Sequence, residues 1–111
     1  MTSVAICPAT GWWAVYYDHD SPTRDAWDAV RVLWWESDDN GRYGIVADGS
    51  GICNTIDLAD DYGGFVEYVY DPSAYEEHGS VTTGDPVVPL QVERLRDRWE
   101  TERRKREKVN A

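Results

Sequence analysis

The sequence has few of the residues that bind metals or act as nucleophiles. It contains two histidines, two cysteines and one methionine in 111 residues. Neither cysteine, Cys7 or Cys53, belongs to a Cys-x-x-Cys motif, which argues against a redox or zinc centre. We expect both to be buried, reduced thiols, with one disulfide or half of a metal site as the alternatives.

Long apolar segments and targeting signals are also missing. No run of about 18 apolar residues is present, so we expect no transmembrane helix. The N-terminal stretch MTSVAICPATG lacks the basic start and the apolar core of a secretory signal. The sequence therefore predicts a cytoplasmic protein with no membrane partner.

Motifs typical of catalysis or ligand binding are absent as well. There is no Gly-x-Ser-x-Gly sequence, and DGSG at 48–51 lacks the lysine and the helix of a phosphate-binding loop. The segment ESDDNGRYGIVAD begins like a calcium-binding loop, but Ala47 stands where that loop requires glutamate. We interpret it as a hairpin turn, because Asn-Gly is a strong signal for one.

One group of residues has the right types for a metal site. Two loops far apart in the chain supply it: Asp18, His19, Asp20 and Asp25, and Glu76, Glu77 and His78. Imidazoles and carboxylates bind metals, but nothing in this spacing requires a site. We interpret the first loop as a solvated strand end, so the sequence favours a non-enzymatic function without metal or cofactor.

Charge divides the chain into an acidic body and a basic end. Residues 1–92 carry three basic and sixteen acidic side chains, and residues 93–111 carry eight basic and five acidic ones, which gives a net charge of -10. We predict one acidic, β-rich domain over residues 1–100 and a basic, helical or disordered tail over 101–111. Acidic residues interrupt this tail, and the body repels phosphate, so we expect no direct binding to nucleic acid.

Runs of β-branched and aromatic residues between turn signals predict five strands and one helix. The predicted strands are 12–17, 30–36, 43–47, 52–58 and 65–70. Pro89 opens the helix, in which Val92, Leu95 and Trp99 share one face over about three turns. The sequence thus predicts an α+β, mainly β fold: a five-stranded antiparallel meander or a small SH3-like barrel, followed by a C-terminal helix.

The predicted strands carry large apolar residues on both faces. Strict alternation divides each strand into two faces. In the first strand, Trp12, Ala14 and Tyr16 share one face, and Trp13, Val15 and Tyr17 share the other. The second strand has Val30, Val32 and Trp34 on one face and Leu33 and Trp35 on the other, and the fifth has Phe65 and Val69 on one face and Val66, Tyr68 and Tyr70 on the other. One helix covers only one face of a sheet, so some aromatic surface is left over. The alternative is that the loops at 18–29 and 71–88 fold over the second face.

Tyrosine and tryptophan are enriched at protein interfaces, and an acidic surface suits a partner with a basic face. We predict an interaction module that binds the basic surface of a protein partner. The candidate contact residues are Trp13, Tyr17, Trp34, Trp35, Tyr68, Tyr70, Asp38, Asp39, Asp60 and Asp61. The alternatives are a self-associating structural protein, and a small-ligand domain with a pocket of tryptophan and tyrosine.

A sharper version of the interaction module is a small inhibitor that mimics the charge of nucleic acid. Small acidic proteins of phages and mobile elements often act in this way. Nine of the eleven basic residues are arginine, and a preference of this kind is typical of GC-rich genomes such as those of actinobacteria and their phages.

Overall fold

The computed structural model describes residues 5–18, 27–39, 41–48, 51–55, 64–73, 75–76, 79–82 and 88–109, apart from the side chains of residues 48 and 107–109. These residues form seven strands and one helix, α1. The elements are β1 (Ala5–Pro8), β2 (Trp12–Tyr17), β3 (Trp27–Asp38), β4 (Gly41–Asp48), β5 (Gly51–Asn54), β6 (Gly64–Tyr70), β7 (Ser80–Thr82) and α1 (Leu90–Val109).

The longest strand, β3, organises one antiparallel sheet in the order β5-β4-β3-β2-β6. Its first half pairs with β2 and β7, and its second half pairs with β1 and β4. The twelve residues of β3 therefore belong to two half-sheets.

The predicted α+β, mainly β class is confirmed. Strands β2 to β5 follow one another as a meander, but β6 returns to pair with β2 instead of extending the meander beyond β5. No strand pairing joins β5 to β6 in the part of the chain that the structure describes, so the sheet is not a closed SH3-like barrel.

Two short strands, β1 and β7, were not predicted from the sequence. Strand β1 ends at Pro8, which cannot donate a backbone hydrogen bond and is tolerated at the edge of a sheet. Strand β7 has three residues, too few to show a period. Strand β5 ends at Asn54, earlier than predicted, and residues 56–58 lie outside the described residues.

Two irregularities change which residues share a face of the sheet. The pairing of β3 with β4 shifts between Val32 and Trp34, and Trp35 rather than Trp34 packs against buried Val30 and Val32. A β-bulge adds one residue to a strand and thereby exchanges the faces beyond it. The predicted grouping of Trp34 with Val30 and Val32 is therefore wrong.

The same correction applies to β6. Its pairing with β2 shifts so that Val15 faces Glu67 while Tyr16 faces Phe65. Phe65 consequently packs with Tyr68 on one side of the sheet, whereas Val66 and Val69 belong to the opposite side.

One face of β2 packs against α1. Trp13, Val15 and Tyr17 form a core with Val92 and Leu95 of the helix, and Trp99 packs against this cluster. The alternation predicted for β2 is confirmed, because Ala14 and Tyr16 are buried on the other side.

The second face of the sheet is covered by the curvature of the sheet itself. A second buried cluster brings Ala14 and Tyr16 of β2 together with Val46 of β4, and Cys53 and Tyr68 of β5 and β6 pack against it. This concave face explains why β2 carries aromatic residues on both sides, and it corrects the assumption that only a helix or a loop provides a cover.

Hydrogen bonds hold the concave face together where strand pairing does not. The Tyr68 hydroxyl donates to Thr55 Oγ1 at 2.9 Å and accepts from the Gly44 N–H at 2.8 Å. Tyr16 donates to the Thr55 carbonyl at 2.7 Å. A Cβ at Gly44 would lie 2.9 Å from Val32 Cγ1 and 3.0 Å from Tyr68 Cε1, so this close approach requires glycine.

Helix α1 is attached at both ends of its first four turns. Asp71 Oδ2 accepts from the Gln91 N–H at 2.8 Å near the helix start, where a carboxylate satisfies an unpaired donor. Further along, Trp27 Nε1 donates to Glu100 Oε1 at 3.3 Å, and Arg103 Nη1 donates to the Tyr17 hydroxyl at 2.8 Å. Contact with the sheet thus extends beyond the three turns predicted from the apolar stripe.

Within the described ranges, no helix combines the length and the apolar character that crossing a membrane requires.

Candidate functional site

The structure separates the predicted contact residues into three groups. Trp13 and Tyr17 are 0% and 7% exposed, so the prediction that they contact a partner is corrected: they form the core under α1. Asp60 and Asp61 lie outside the described residues. The other six lie on opposite sides of the sheet or at its rim: Trp34, Asp38 and Asp39 on β3 or directly after it, and Trp35 of β3 with Tyr68 and Tyr70 of β6.

The first surface is the convex side of β1, β3, β4 and β5, which we call the outer face. Residues paired across neighbouring strands share a face, and the register aligns Ile6 with Glu36 and Glu36 with Tyr43. Trp34 pairs with Ile45, and Ile52 pairs with Ala47. Asp38 follows Glu36 by two positions, and these residues therefore point to the same side.

Apolar and acidic side chains are mixed on the outer face. Ile6 and Ile52 are 64% and 63% exposed. Trp34 and Tyr43 are half-buried. Along β3, Glu36 and Asp38 follow Trp34 on the same side, so the surface has apolar groups beside negative charge.

Local hydrogen bonds orient the two carboxylates of the outer face. Trp34 Nε1 donates to Glu36 Oε1 at 3.0 Å, and the Tyr43 hydroxyl donates to Asp38 Oδ2 at 3.4 Å. Desolvation raises the pKa of Tyr43, and the negative charges of Glu36 and Asp38 raise it further. Tyr43 is therefore a neutral hydrogen-bond donor at pH 7.

The second surface is an open pocket on the concave side, which we call the aromatic pocket. Trp12, Trp35, Tyr68 and Arg42 line a volume of about 350 Å³. The Trp35 ring lies 5.6 Å from Trp12 and 4.7 Å from Tyr68 between centroids, at interplanar angles of 74° and 82°. Tyr70, which is 52% exposed, extends the aromatic row with its ring 5.3 Å from Trp12.

The described residues do not assemble a cluster of metal ligands. No group of three or more His, Cys, Asp or Glu side chains converges in this part of the chain. His19, Asp20, Asp25, Glu77 and His78 lie outside it.

Cys7 and Cys53 do not form a disulfide. Cys7 is exposed rather than buried as expected, because β1 lies at an edge of the sheet. Cys53 is half-buried against the concave core.

The basic end of the chain is in contact with the acidic body. The guanidinium of Arg103 lies 5.9 Å from the Tyr17 ring centroid and 5.6 Å from that of Trp99. Arg98 pairs with Glu67 of β6 at 3.3 Å. These contacts use part of the positive charge of α1 within the molecule.

Sequence reasoning missed six residues of the two surfaces: Ile6, Glu36, Tyr43 and Ile52 on the outer face, and Trp12 and Arg42 in the aromatic pocket. The alternation of the Gly41–Asp48 strand places Arg42 and Tyr43 on opposite sides, and this was a usable signal for both. Ile6 gave no signal, because it lies in a short strand that ends at Pro8.

Comparison with known proteins identifies no similar protein. No protein-family model matches the sequence, and no curated protein and no solved structure shows significant similarity to it.

Proposed function

We propose that the protein is a non-enzymatic interaction module that binds a basic surface of a protein partner through its outer face. One observation carries this proposal: Ile6 and Ile52 are both more than 60% exposed on the face that also holds Trp34, Glu36 and Asp38. Exposed aliphatic and aromatic groups are what a partner surface buries, and the acidic side chains suit a partner with a basic surface.

The apolar residues and the carboxylates have different roles in this proposal. Burial of Ile6, Ile52 and Trp34 supplies affinity, since apolar and aromatic anchors dominate most interfaces. Glu36 and Asp38 supply selectivity for lysine and arginine, and the acidic body accelerates the approach of a basic partner. Each ionised carboxylate accepts several hydrogen bonds, so its bond to Trp34 or Tyr43 leaves room for a partner donor.

Charge also distinguishes this proposal from self-association through the same face. A symmetric dimer places the same patch of both copies in contact. The interface would then contain Glu36 and Asp38 of both copies, and four carboxylates brought together oppose binding. A basic partner avoids this repulsion.

A protein that normally binds nucleic acid is one class of basic partner. The charge of -10 supports this version, because an acidic surface competes for the same lysine and arginine residues that bind phosphate. A mimic of nucleic acid is expected to bind with an affinity that falls steeply with salt.

Affinity capture with matched variants tests the outer face. Tagged wild-type protein is compared with the double variant Ile6→Ser and Ile52→Ser, and with Leu90→Ser, which removes an exposed leucine from the helix start. We expect wild type and Leu90→Ser to capture the same basic proteins. The double variant should not capture them, and high salt should release them from the wild type.

Two results would count against the proposal. Capture profiles that are the same for the double variant and the wild type would exclude the outer face as the interface. A native mass of two or more chains, reduced to one by the double variant, would show that this face binds a second copy.

A further inference from the structure

The aromatic pocket lies on the side of β3 opposite the outer face. Trp34 and Trp35 are neighbours in the chain, yet Trp35 packs against the concave core while Trp34 hydrogen bonds to Glu36 on the outer face. A ligand in the aromatic pocket therefore does not compete for the surface proposed to bind a protein.

Three rings give the pocket its shape. The Trp12 and Tyr68 rings both stand at steep angles to the ring of Trp35. The volume of about 350 Å³ is near the lower limit of small-molecule sites, which begin at about 300 Å³. A single ring system of the size of indole or benzene fits such a space, and it can contact the rings in edge-to-face or offset geometry.

The rings are held before any ligand binds. The Tyr68 hydroxyl has one hydrogen bond to the Gly44 N–H and one to Thr55 Oγ1, so the ring of Tyr68 is fixed at its far end. Trp35 packs against the buried cluster that contains Val32 and Val46. Such preorganisation lowers the entropy that binding costs.

Arg42 determines which charge the pocket accepts. Among the described residues that line the pocket, Arg42 is the charged one, and its side chain is exposed. Aromatic cages alone favour cations, but a cation here would lie beside a guanidinium and be repelled. A carboxylate, in contrast, can form two parallel hydrogen bonds with that guanidinium.

We infer that the aromatic pocket binds a small organic acid in which a flat aromatic ring carries a carboxylate. The ring lies among Trp12, Trp35 and Tyr68, and the carboxylate pairs with Arg42. This inference does not depend on the proposed protein partner, since it concerns the opposite side of the sheet.

Two compounds that share a ring and differ in charge test the inference. Indole-3-acetate carries a carboxylate, and tryptamine carries an ammonium on the same indole. Titration of ¹⁵N-labelled protein by two-dimensional NMR reports binding through the indole N–H signals of Trp12 and Trp35. We expect indole-3-acetate to shift these two signals and to bind about two- to fivefold more tightly than tryptamine, the range that one exposed ion pair supplies.

Variants of two exposed arginines complete the test. Arg42→Gln is expected to weaken the binding of indole-3-acetate about two- to fivefold and to remove the preference over tryptamine. Arg104→Gln removes the same charge from the helix and is expected to leave both affinities unchanged. Three results would overturn the inference. They are no binding of indole-3-acetate below about 10 mM, equal affinities for the two compounds, and the same effect of Arg42→Gln and Arg104→Gln.

Discussion

Trp34 and Trp35 are adjacent in the chain and belong to opposite sides of one strand, but not to the sides that strict alternation assigns. The β-bulge between Val32 and Trp34 places Trp35 on the concave face with Val30 and Val32. Trp34 is consequently on the outer face, where its Nε1 donates to Glu36. This one-residue irregularity produces both candidate surfaces, and the predictions below test the contacts on which they depend.

The hydroxyl of Tyr68 is expected to stabilise the curvature of the sheet. Tyr68→Phe leaves the buried Thr55 hydroxyl and the Gly44 N–H with one partner fewer, so we expect a loss of about 1–3 kcal/mol in the free energy of unfolding. Urea denaturation measures this loss. Tyr70→Phe removes a hydroxyl from a half-exposed ring and should change stability by less than about 0.5 kcal/mol; equal losses for the two variants would contradict the prediction.

The close approach at Gly44 predicts that even one methyl group is not tolerated there. Gly44→Ala places a Cβ within 3.0 Å of both Val32 and Tyr68, and overpacking of this kind costs about 1–3 kcal/mol. Gly79→Ala is the matched control, because its nearest atom there is Arg31 Nη2 at 3.7 Å. Thermal unfolding should separate the two variants by several degrees. Indistinguishable melting temperatures would show that β4 and β6 are not packed so closely.

Alkaline pH is expected to destabilise the protein through Tyr75. Its hydroxyl donates to the Val32 carbonyl at 2.6 Å, and burial raises its pKa, although Arg31 partly opposes this shift. Because the pKa of Tyr75 is higher in the folded state, its stabilisation of the fold is fully present below the unfolded-state pKa of about 10. This stabilisation is lost as pH rises through the folded-state pKa. Stability measured from pH 8 to 11 should fall less steeply in Tyr75→Phe than in wild type, and parallel profiles would contradict this role.

The fourth turn of α1 is expected to contribute to stability through Arg103. Arg103→Gln removes the contacts with Tyr17 and Trp99, and because the arginine is exposed we expect a loss of less than about 1 kcal/mol. Arg104→Gln, one position further, should have no measurable effect. Denaturant midpoints distinguish the two, and a larger effect for Arg104 would show that the helix is rotated relative to the sheet.

Much of the fold was predictable because periodicity and turn chemistry are local. The Asn-Gly signal predicts the turn between β3 and β4, and the positions of Val92, Leu95 and Trp99 predict the docked side of α1. The faces of β2 follow from its alternation, since no bulge interrupts it.

The candidate sites were less predictable because bulges and curvature depend on distant parts of the chain. The extra residues in β3 and β6 carry no mark in the sequence, yet they exchange the faces of Trp34, Trp35, Phe65 and Val66. Burial of Trp13 and Tyr17 likewise follows from α1, about 80 residues away. Exposure of an aromatic residue is a property of the packed sheet rather than of the strand that contains it.

The most direct test of the proposed function compares the partner proteins captured by the wild type with those captured by a variant whose outer face has lost two charges. Glu36→Gln with Asp38→Asn keeps hydrogen-bond acceptors for Trp34 and Tyr43 while removing two charges. The control, Glu76→Gln with Glu102→Gln, removes two charges from exposed positions elsewhere. We predict that the outer-face pair loses the basic partner and the control retains it. Equal retention by both variants would show that these carboxylates do not form the interface.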